Sequence, residues 1–334
     1  MSEQRLHQTL SWRCEELSRK SRANPQLRPK GSSHLWARSH LKRLASAMLP
    51  APPGRREQRA VCSEHKVALQ PIFGFSFSPG ALLMPYHVGV AQELAELSFI
   101  NDTTPLAGTS AGSILVSCIA GGVPYDSMTA ALKELIGDLR QNGTLGRVAP
   151  LLRTFLEELL PADIHTRMTQ RSISVGITKV QYGNNQRPLR GLTIRNFYSK
   201  EDVINAITAS GWTPFWIGNG LTVEFRDYGP CIDGMPTVLF PEPAPQCSQV
   251  VKVCSTSSSI LTRFGIVEQN EVQICPDLQR KRYNGQMKFS AVELALMALN
   301  PYEDDVIDEL VALGREDAAI WANSVGECNS TYVD

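Results

Sequence analysis

The feature that most constrains the fold is a pentapeptide with two glycines, Gly108-Thr109-Ser110-Ala111-Gly112. It follows a short apolar run, residues 104–107, and precedes residues 111–120, which have the composition of an apolar helix. Where a strand turns directly into a helix, the two backbones cross closely and leave little room for Cβ atoms, which suits Gly108 and Gly112. The pattern predicts a strand–turn–helix unit with the Ser110 hydroxyl projecting at the end of a sheet.

A similar unit precedes this one in the chain. Residues 71–77 are short and apolar, as in a buried strand, and residues 85–98 have apolar positions at helical spacing, with Pro85 in the first turn. Two strand-to-helix units in succession predict a parallel sheet and an α/β fold. Further helices are predicted at 124–140, 148–160, 201–209, 289–299 and 303–323, and further strands at 172–180, 192–198, 250–255 and 271–275.

The histidine positions bear on which base could activate Ser110. In a Ser-His-Asp site on this kind of fold the histidine follows the serine in the chain. Only one of the six histidines does so, namely His165, and its neighbour Asp163 is too near in sequence to orient the ring. A carboxylate that acts directly on Ser110 is therefore favoured. Asp233 is the candidate, although an Asp-Gly step such as Asp233-Gly234 taken alone is most often a plain turn.

Charge divides the chain into an arm and a body. Residues 1–60 contain 13 Lys and Arg against 4 Asp and Glu, whereas residues 61–334 contain 20 against 29. The segment Pro50-Ala51-Pro52-Pro53-Gly54 marks the seam. We expect residues 1–60 to be a basic, disordered arm, an organelle-targeting segment or a contact for anionic lipids. Residues 61–285 are expected to form the catalytic domain. Residues 286–334 are expected to form a helical segment that packs on this domain or follows it. The acidic body argues against nucleic-acid binding.

The cysteines and the hydropathy favour a protein of a reducing compartment that does not span a membrane. The eight cysteines are scattered, with no C-x-x-C pair, and their spacing does not suit a zinc site, so we expect no metal. No apolar run reaches the roughly 18 residues that a membrane-spanning helix needs. The expected location is intracellular, in the cytoplasm or at a lipid-droplet or membrane surface, with a plastid or mitochondrion as the alternative that the arm suggests.

Several motifs resemble one known family in residue type and order. They are Ser76-Phe77-Ser78-Pro79-Gly80, Tyr86-His87-Val88-Gly89-Val90, the pentapeptide at 108–112, the stretches 155–165, 173–178 and 196–200, Ala209-Ser210-Gly211, Asp233-Gly234 and Ile274-Cys275-Pro276. Over residues 72–276 the chain resembles the patatin-like phospholipases, in the branch that includes adipose triglyceride lipase and adiponutrin, and in a variant similar to plant and algal chains.

The resemblance implies a three-layer α/β/α fold with a largely parallel central sheet. It also implies a serine lipid acyl hydrolase that cleaves ester bonds of glycerolipids, either triacylglycerol or phospholipid, with Ser110 as nucleophile, Asp233 as base and no cofactor. The family's glycine-rich oxyanion loop corresponds to residues 79–84, where Gly80 is the one glycine left, so the donors are expected at Gly80, Ala81 and Leu82. Gly234 belongs to the turn that carries Asp233.

Two other functions fit the same sequence. An acyltransferase would form the same acyl-serine and pass the acyl group to a lipid instead of water, and a lipid-surface scaffold would keep the fold without the chemistry. A glycerolipid is the expected substrate and a membrane or lipid-droplet surface the expected peripheral partner. Trp212, Phe215, Trp216 and Ile217, in a Gly/Trp/Pro-rich loop, are candidates for contact with lipid or for lining an acyl tunnel, although any single one of them is more often part of the core.

Overall fold

The computed structural model describes residues 72–182, 188–244, 247–278 and 288–330, with side chains described as far as Val325. The predicted arm at 1–60 and its seam at 50–54 lie outside these ranges. Within them, no helix combines the length and the apolar character that a membrane crossing requires.

A mixed sheet of seven strands forms the centre of the molecule. Its strands are β1 (Phe73–Phe77), β2 (Leu106–Thr109), β3 (Ser174–Val180), β4 (Leu189–Ile194), β5 (Val223–Glu224), β6 (Pro230–Asp233) and β7 (Gln249–Val253). The spatial order is β5-β6-β3-β2-β1-β7, and β4 also pairs with β3. Strands β7, β1, β2 and β3 are parallel, whereas β4 and β6 run antiparallel to β3. β1, β2 and the first five residues of β3 are almost wholly buried, whereas β7 is partly exposed.

Nine helices among the described residues accompany the sheet. They are α1 (Met84–Glu96), α2 (Ala111–Gly121), α3 (Tyr125–Asn142), α4 (Val148–Leu159), α5 (Ile164–Gln170), α6 (Lys200–Ser210), α7 (Ser258–Arg263), α8 (Ala291–Leu299) and α9 (Asp304–Ser330), with 3-10 turns at Ala81–Leu83, Arg226–Tyr228 and Pro276–Leu278. The predicted three-layer α/β/α class is confirmed, and its parallel part is the group β7, β1, β2 and β3.

Three strand predictions need correction. The strand expected at 192–198 is β4, which lies at Leu189–Ile194. The strand expected at 271–275 is absent from the described residues: Ile274 makes only an isolated bridge to Val253 at the sheet edge. Strands β5 and β6 were not predicted, because they have two and four residues, too few to show an alternation of apolar and polar positions.

Helices α1 and α9 cross at glycines. A Cβ atom on Gly89 would lie 2.0 Å from the Val311 carbonyl oxygen, and one on Gly314 would lie 2.1 Å from that of Tyr86, so neither position admits a side chain. Beside this crossing the Tyr86 hydroxyl donates a hydrogen bond of 2.8 Å to Asp317 Oδ2. Burial raises the pKa of Asp317 to about 8. The C-terminal helix is therefore packed directly on the helix that follows β1.

Candidate active site

Ser110 lies on a strained turn between β2 and α2. Its backbone has φ 53° and ψ −119°, a region that residues other than glycine rarely adopt. The flanking glycines allow the close crossing, because a Cβ on Gly108 would lie 2.2 Å from the Gly112 carbonyl carbon and one on Gly112 would lie 2.4 Å from Phe77 O. Ser110 is 8 % exposed, so its hydroxyl reaches solvent only through the opening at this turn.

A buried serine on α6 supports the turn. The Ser110 N–H donates to Ser210 Oγ at 2.8 Å, and the Ser210 hydroxyl donates in turn to Gly176 O of β3 at 2.7 Å. On the other side, the Ser113 N–H and hydroxyl both donate to Ser110 O, at 2.9 and 2.7 Å. Ser110 is thereby attached to α6, β3 and α2.

Asp233 is the last residue of β6 and faces Ser110. The Met235 N–H donates to its Oδ1 at 2.7 Å. Burial raises the pKa of Asp233 to about 6, although the interactions of the carboxylate with Met235 N–H and with the Ser110 side chain oppose the rise by favouring the ionised form. Such a carboxylate is ionised at neutral pH and is basic enough to accept a proton from a hydroxyl that becomes a nucleophile.

Gly234 fixes the turn after Asp233. Its N–H donates to Ser210 O at 3.1 Å, and its carbonyl oxygen accepts from the Val238 N–H at 2.7 Å. A Cβ at this position would lie 2.6 Å from Gly176 O and 2.7 Å from Thr109 Cγ2, so the turn can approach β2 and β3 only with glycine. The main chain and the side chain of Ser210 thus contact both halves of the serine–aspartate pair.

Two of the three oxyanion donors predicted in the loop after β1 lie at the cavity, and the third does not. Ala81 and Leu82 line the cavity at Ser110, but Gly80 does not. Gly80 is buried beneath the loop, where a Cβ would lie 2.7 Å from Ser255 Oγ and 3.3 Å from His87 Nε2. Because burial lowers the pKa of His87 to about 4, the ring is neutral, and Nε2–H donates to Ser78 O at 3.1 Å. His87 therefore anchors the loop from below.

Two helix starts meet beside Ser110. The 3-10 turn Ala81–Leu83 runs into α1, and α2 begins at Ala111. The first N–H groups of a helix have no partner within it, and its N-terminus carries the positive end of the helix dipole. Ala81, Leu82 and Ala111 all line the cavity. The arrangement can place N–H donors near an oxygen that becomes negative when Ser110 attacks a carbonyl group.

A cavity almost wholly apolar in lining opens at Ser110. It encloses about 820 Å³, including the part open to solvent. Besides Ser110 and Gly211, its lining consists of Ala81, Leu82, Met84, Ala111, Ile114, Cys118, Met128, Ala131, Leu132, Leu135, Val148, Leu152, Phe155, Leu156, Leu159, Ile207, Trp216 and Ile217. Ser110, Ile114 and Cys118 follow one another at one-turn intervals, so the cavity extends along α2 away from the serine. Burial raises the pKa of the Cys118 thiol to about 12, which leaves it unreactive as a nucleophile.

The other predicted residues lie in different places. His165, on α5, is not part of the cavity lining. Of the loop residues, Trp216 and Ile217 line the cavity, Phe215 is 61 % exposed, and Trp212 packs its ring against Gly218. No group of three or more His, Cys, Asp or Glu side chains that could hold a metal ion occurs in the described ranges.

Sequence reasoning missed the supporting residues of the site. Ser210 was part of a shared motif, Ala209-Ser210-Gly211, but nothing in that motif indicated its partners. The cavity walls from α3 and α4 were recognised only as amphipathic helices, because the spacing of their apolar residues is the same whether they face a core or a cavity.

The fold and the site define a class of α/β protein in which a serine on a strand-to-helix turn faces a buried carboxylate. Residues 75–235 match the family model described as patatin-like phospholipase. Over these residues, just under half of its length, the chain is thus similar to the patatin-like phospholipases.

Known proteins similar to the chain include two human ones. It is 30% identical over 154 residues to patatin-like phospholipase domain-containing protein 2, a match that covers 44% of this chain and 29% of that protein. It is 28% identical over 154 residues to 1-acylglycerol-3-phosphate O-acyltransferase PNPLA3, which covers 44% of this chain and 30% of the relative. The matches thus span less than a third of either relative's length.

Among solved structures, VipD from Legionella pneumophila is similar with a TM-score of 0.38 and 11% identity, over 76% of this chain and 67% of that chain. At that score the likeness adds nothing to the fold argument, which rests on the strand order and register given above.

Proposed function

We propose that the chain is a serine lipid acyl hydrolase that cleaves ester bonds of glycerolipids with Ser110 as nucleophile and Asp233 as base. One observation carries the proposal: a serine on a strained strand-to-helix turn faces a buried carboxylate and opens on an apolar cavity of about 820 Å³. A cavity with this lining suits an acyl chain and offers little to a polar substrate. The similarity to the patatin-like phospholipases supports the same assignment.

In the proposed reaction Asp233 accepts the Ser110 proton as Oγ attacks the ester carbonyl carbon. N–H groups at Ala81, Leu82 and Ala111 stabilise the negative oxygen of the tetrahedral intermediate. The intermediate expels the glycerol oxygen, which takes the proton back from Asp233, and an acyl-Ser110 ester remains. Water then gives a proton to Asp233 and attacks this ester. The fatty acid leaves, and the proton returns to Ser110 Oγ.

The cavity geometry suits one acyl chain at a time. Ser110 and Cys118 are eight residues apart on one face of α2, a distance of about 12 Å along a helix axis. An acyl chain bound along this face would have its carbonyl carbon at Ser110 and its methyl end toward α3 and α4. The glycerol part would stay at the opening. Peripheral contact with an intracellular membrane or lipid-droplet surface, from which the substrate enters, belongs to this proposal.

An acyltransferase is the second candidate, and the apolar lining favours it to a degree, because little in the cavity would hold a water molecule for deacylation. The printed name of one human relative is also that of an acyltransferase. Hydrolase and transferase share every step up to acyl-Ser110. The scaffold alternative is disfavoured by the strained backbone of Ser110 and the buried carboxylate of Asp233 beside it, because both cost stability that a protein without the chemistry has no reason to lose.

The decisive experiment is covalent labelling with a fluorophosphonate probe followed by product analysis. The wild-type chain should be labelled and Ser110→Ala should not, while His165→Ala, outside the cavity, should be labelled like the wild type. Glycerolipid with a labelled acyl chain should then give free fatty acid, even when a lysolipid acceptor is added. Labelling of Ser110→Ala would refute the nucleophile, and transfer of the label to the acceptor alone would establish the transferase.

A further inference from the structure

Helix α8 has an apolar face toward solvent as well as one toward the core. Leu294 is fully buried, and Met297 and Ala298 pack against the core beside it. On the opposite face Val292, Leu296 and Leu299 are 67, 59 and 52 % exposed. These three residues, here called the apolar stripe, follow one another at i, i+4 and i+7 and so form one continuous row. A helix that is apolar on all sides normally has both faces covered.

The apolar stripe lies next to the entrance of the cavity. Helix α8 packs against the 3-10 turn Ala81–Leu83, and Leu299 O accepts a hydrogen bond of 3.3 Å from Trp216 Nε1. Leu82 and Trp216 both line the cavity. The Tyr302 hydroxyl, just beyond α8, donates to Leu82 O and fixes the helix to the same turn. The exposed stripe therefore continues into the lining that leads to Ser110.

The residues around the apolar stripe provide little attraction for an anionic partner. Residues 289–302 contain no Lys or Arg, and their single charged side chain, Glu293, accepts from the Ser290 N–H at 2.6 Å as a helix cap. At the start of α9, Glu303 and Asp304 each form an ion pair with Arg140 at 3.4 Å. Resting on the proposed hydrolase function, we propose that α8 docks the apolar stripe on a lipid surface without net charge, so that substrate passes from that surface directly into the cavity.

The test compares two exposed aliphatic residues in the full chain. Leu296→Asp changes the apolar stripe, and Ile72→Asp is the control, with a matched exposure of 58 %. Ile72 precedes β1, whereas Ser110 follows β2, which is parallel to β1. Ile72 and Ser110 therefore lie at opposite ends of these strands. Binding to phosphatidylcholine vesicles in high salt, which screens the arm, should weaken at least about tenfold for Leu296→Asp and stay at the wild-type value for Ile72→Asp.

Hydrolysis of a short, monomeric ester separates this proposal from the proposed function. Leu296→Asp should hydrolyse that ester at the wild-type rate. If the wild type does not hydrolyse the ester, the hydrolase assignment fails. Should Leu296→Asp not fold, Val292→Ser takes its place. Docking is refuted if the wild type does not bind the vesicles or if both variants bind alike. It is also refuted if Leu296→Asp dissociates a dimer without a change in vesicle binding.

A separate observation concerns Ser210. This residue is completely buried. Its hydroxyl accepts from the Ser110 N–H and donates to Gly176 O, and its carbonyl oxygen accepts from the N–H of Gly234, next to Asp233. We infer that Ser210 is a positioning residue that holds the strained Ser110 turn and the Asp233 turn at one separation. Its effect passes through those two residues, since Ser210 does not line the cavity.

Ser117→Ala is a matched control, because Ser117 is also buried but its hydroxyl donates only to Ser113 O, within its own helix. Ser210→Ala should lower both kcat on a soluble ester and the rate of fluorophosphonate labelling by about 10- to 100-fold with little change in KM, whereas Ser117→Ala should not. If Ser210→Ala does not fold, Ser210→Cys replaces it. The cysteine side chain is similar in volume to that of serine, and its thiol is a weak acceptor for the hydrogen bond from the Ser110 N–H. If Ser210→Ala is labelled as fast as Ser117→Ala, the positioning role of Ser210 is refuted. If the wild type itself is not labelled, the proposed function is refuted instead.

Discussion

In the proposed mechanism Asp233 combines two properties that conflict in a folded protein: the reaction needs its carboxylate in the ionised form, and its buried surroundings disfavour that form. Burial raises its pKa to about 6. As a base, it must be deprotonated before Ser110 can attack. We therefore expect kcat/KM for a soluble ester to rise about tenfold per pH unit below pH 6 and to level off above it. A pH–rate profile that is flat between pH 5 and 7 would contradict this role.

The same conflict predicts a gain of stability when the charge is removed. The pKa of Asp233 is higher in the folded state than the ordinary 3.8, so ionisation destabilises the fold, fully above about pH 6 and not at all well below pH 4. This difference corresponds to about 3 kcal/mol at neutral pH. Asp233→Asn should be inactive yet have a larger free energy of unfolding than the wild type at pH 7.5, with the gain lost near pH 4. Urea denaturation at the two pH values measures it, and a gain that does not change with pH would contradict the linkage.

At this scale the residues with distinctive local sequence could be predicted. Ser110 lies between two glycines, and Asp233 followed from the histidine positions and the resemblance. Ser210 could not be assigned a role, because its hydrogen bonds depend on a meeting of α6 with β3 and with the Ser110 turn, 100 residues away. Gly80 was expected at the oxyanion hole and lies beneath the loop instead. The sequence of a loop does not show which residues will pack below it.

At the scale of elements, the loop from β1 to α1 depends on what lies below it. A valine at Gly80 would place its Cβ 2.7 Å from Ser255 Oγ and 3.3 Å from His87 Nε2. It would displace the 3-10 turn that presents the Ala81 and Leu82 N–H groups. We expect Gly80→Val to lower turnover by about 10² to 10³ with little change in KM. Gly137→Val is the control, since a Cβ there meets nothing nearer than 3.9 Å. Equal turnover of the two variants would show that the oxyanion donors lie elsewhere.

Elements with strong periodicity could be predicted from sequence and weak ones could not. The helices around residues 85–98 and 111–120 correspond to α1 and α2, because Pro85 in the first turn of α1, Gly122 at the end of α2 and the apolar spacing of both favour a helix locally. β6 has four residues and is a strand only through its pairing with β3. α8 was predicted as a closing helix, but a segment such as 291–299, apolar on all sides, does not indicate which face stays exposed.

The whole molecule separates charge along its chain, and this predicts two kinds of lipid contact. Residues 1–60 carry 13 basic and 4 acidic side chains, while residues 289–302, which include the apolar stripe, contain no Lys or Arg. We expect binding to phosphatidylserine vesicles to weaken steeply as salt rises, and binding to phosphatidylcholine vesicles to change little. Sedimentation with the two kinds of vesicle at increasing salt measures this. The same salt dependence for both would assign all of the binding to a single surface.

The glycine crossing of α1 with α9 has a consequence for biosynthesis. Gly89 and Gly314 are separated by more than 200 residues in sequence, yet each helix needs the other to cover it. Contacts between such distant parts of a chain form late in folding, and a protein is made from its N-terminus. α1 supports the loop next to Ser110, so we expect the nascent chain to remain inert until α9 has left the ribosome. If the proposed function holds, a growing polypeptide would then be unable to act on lipid before α9 has been synthesised.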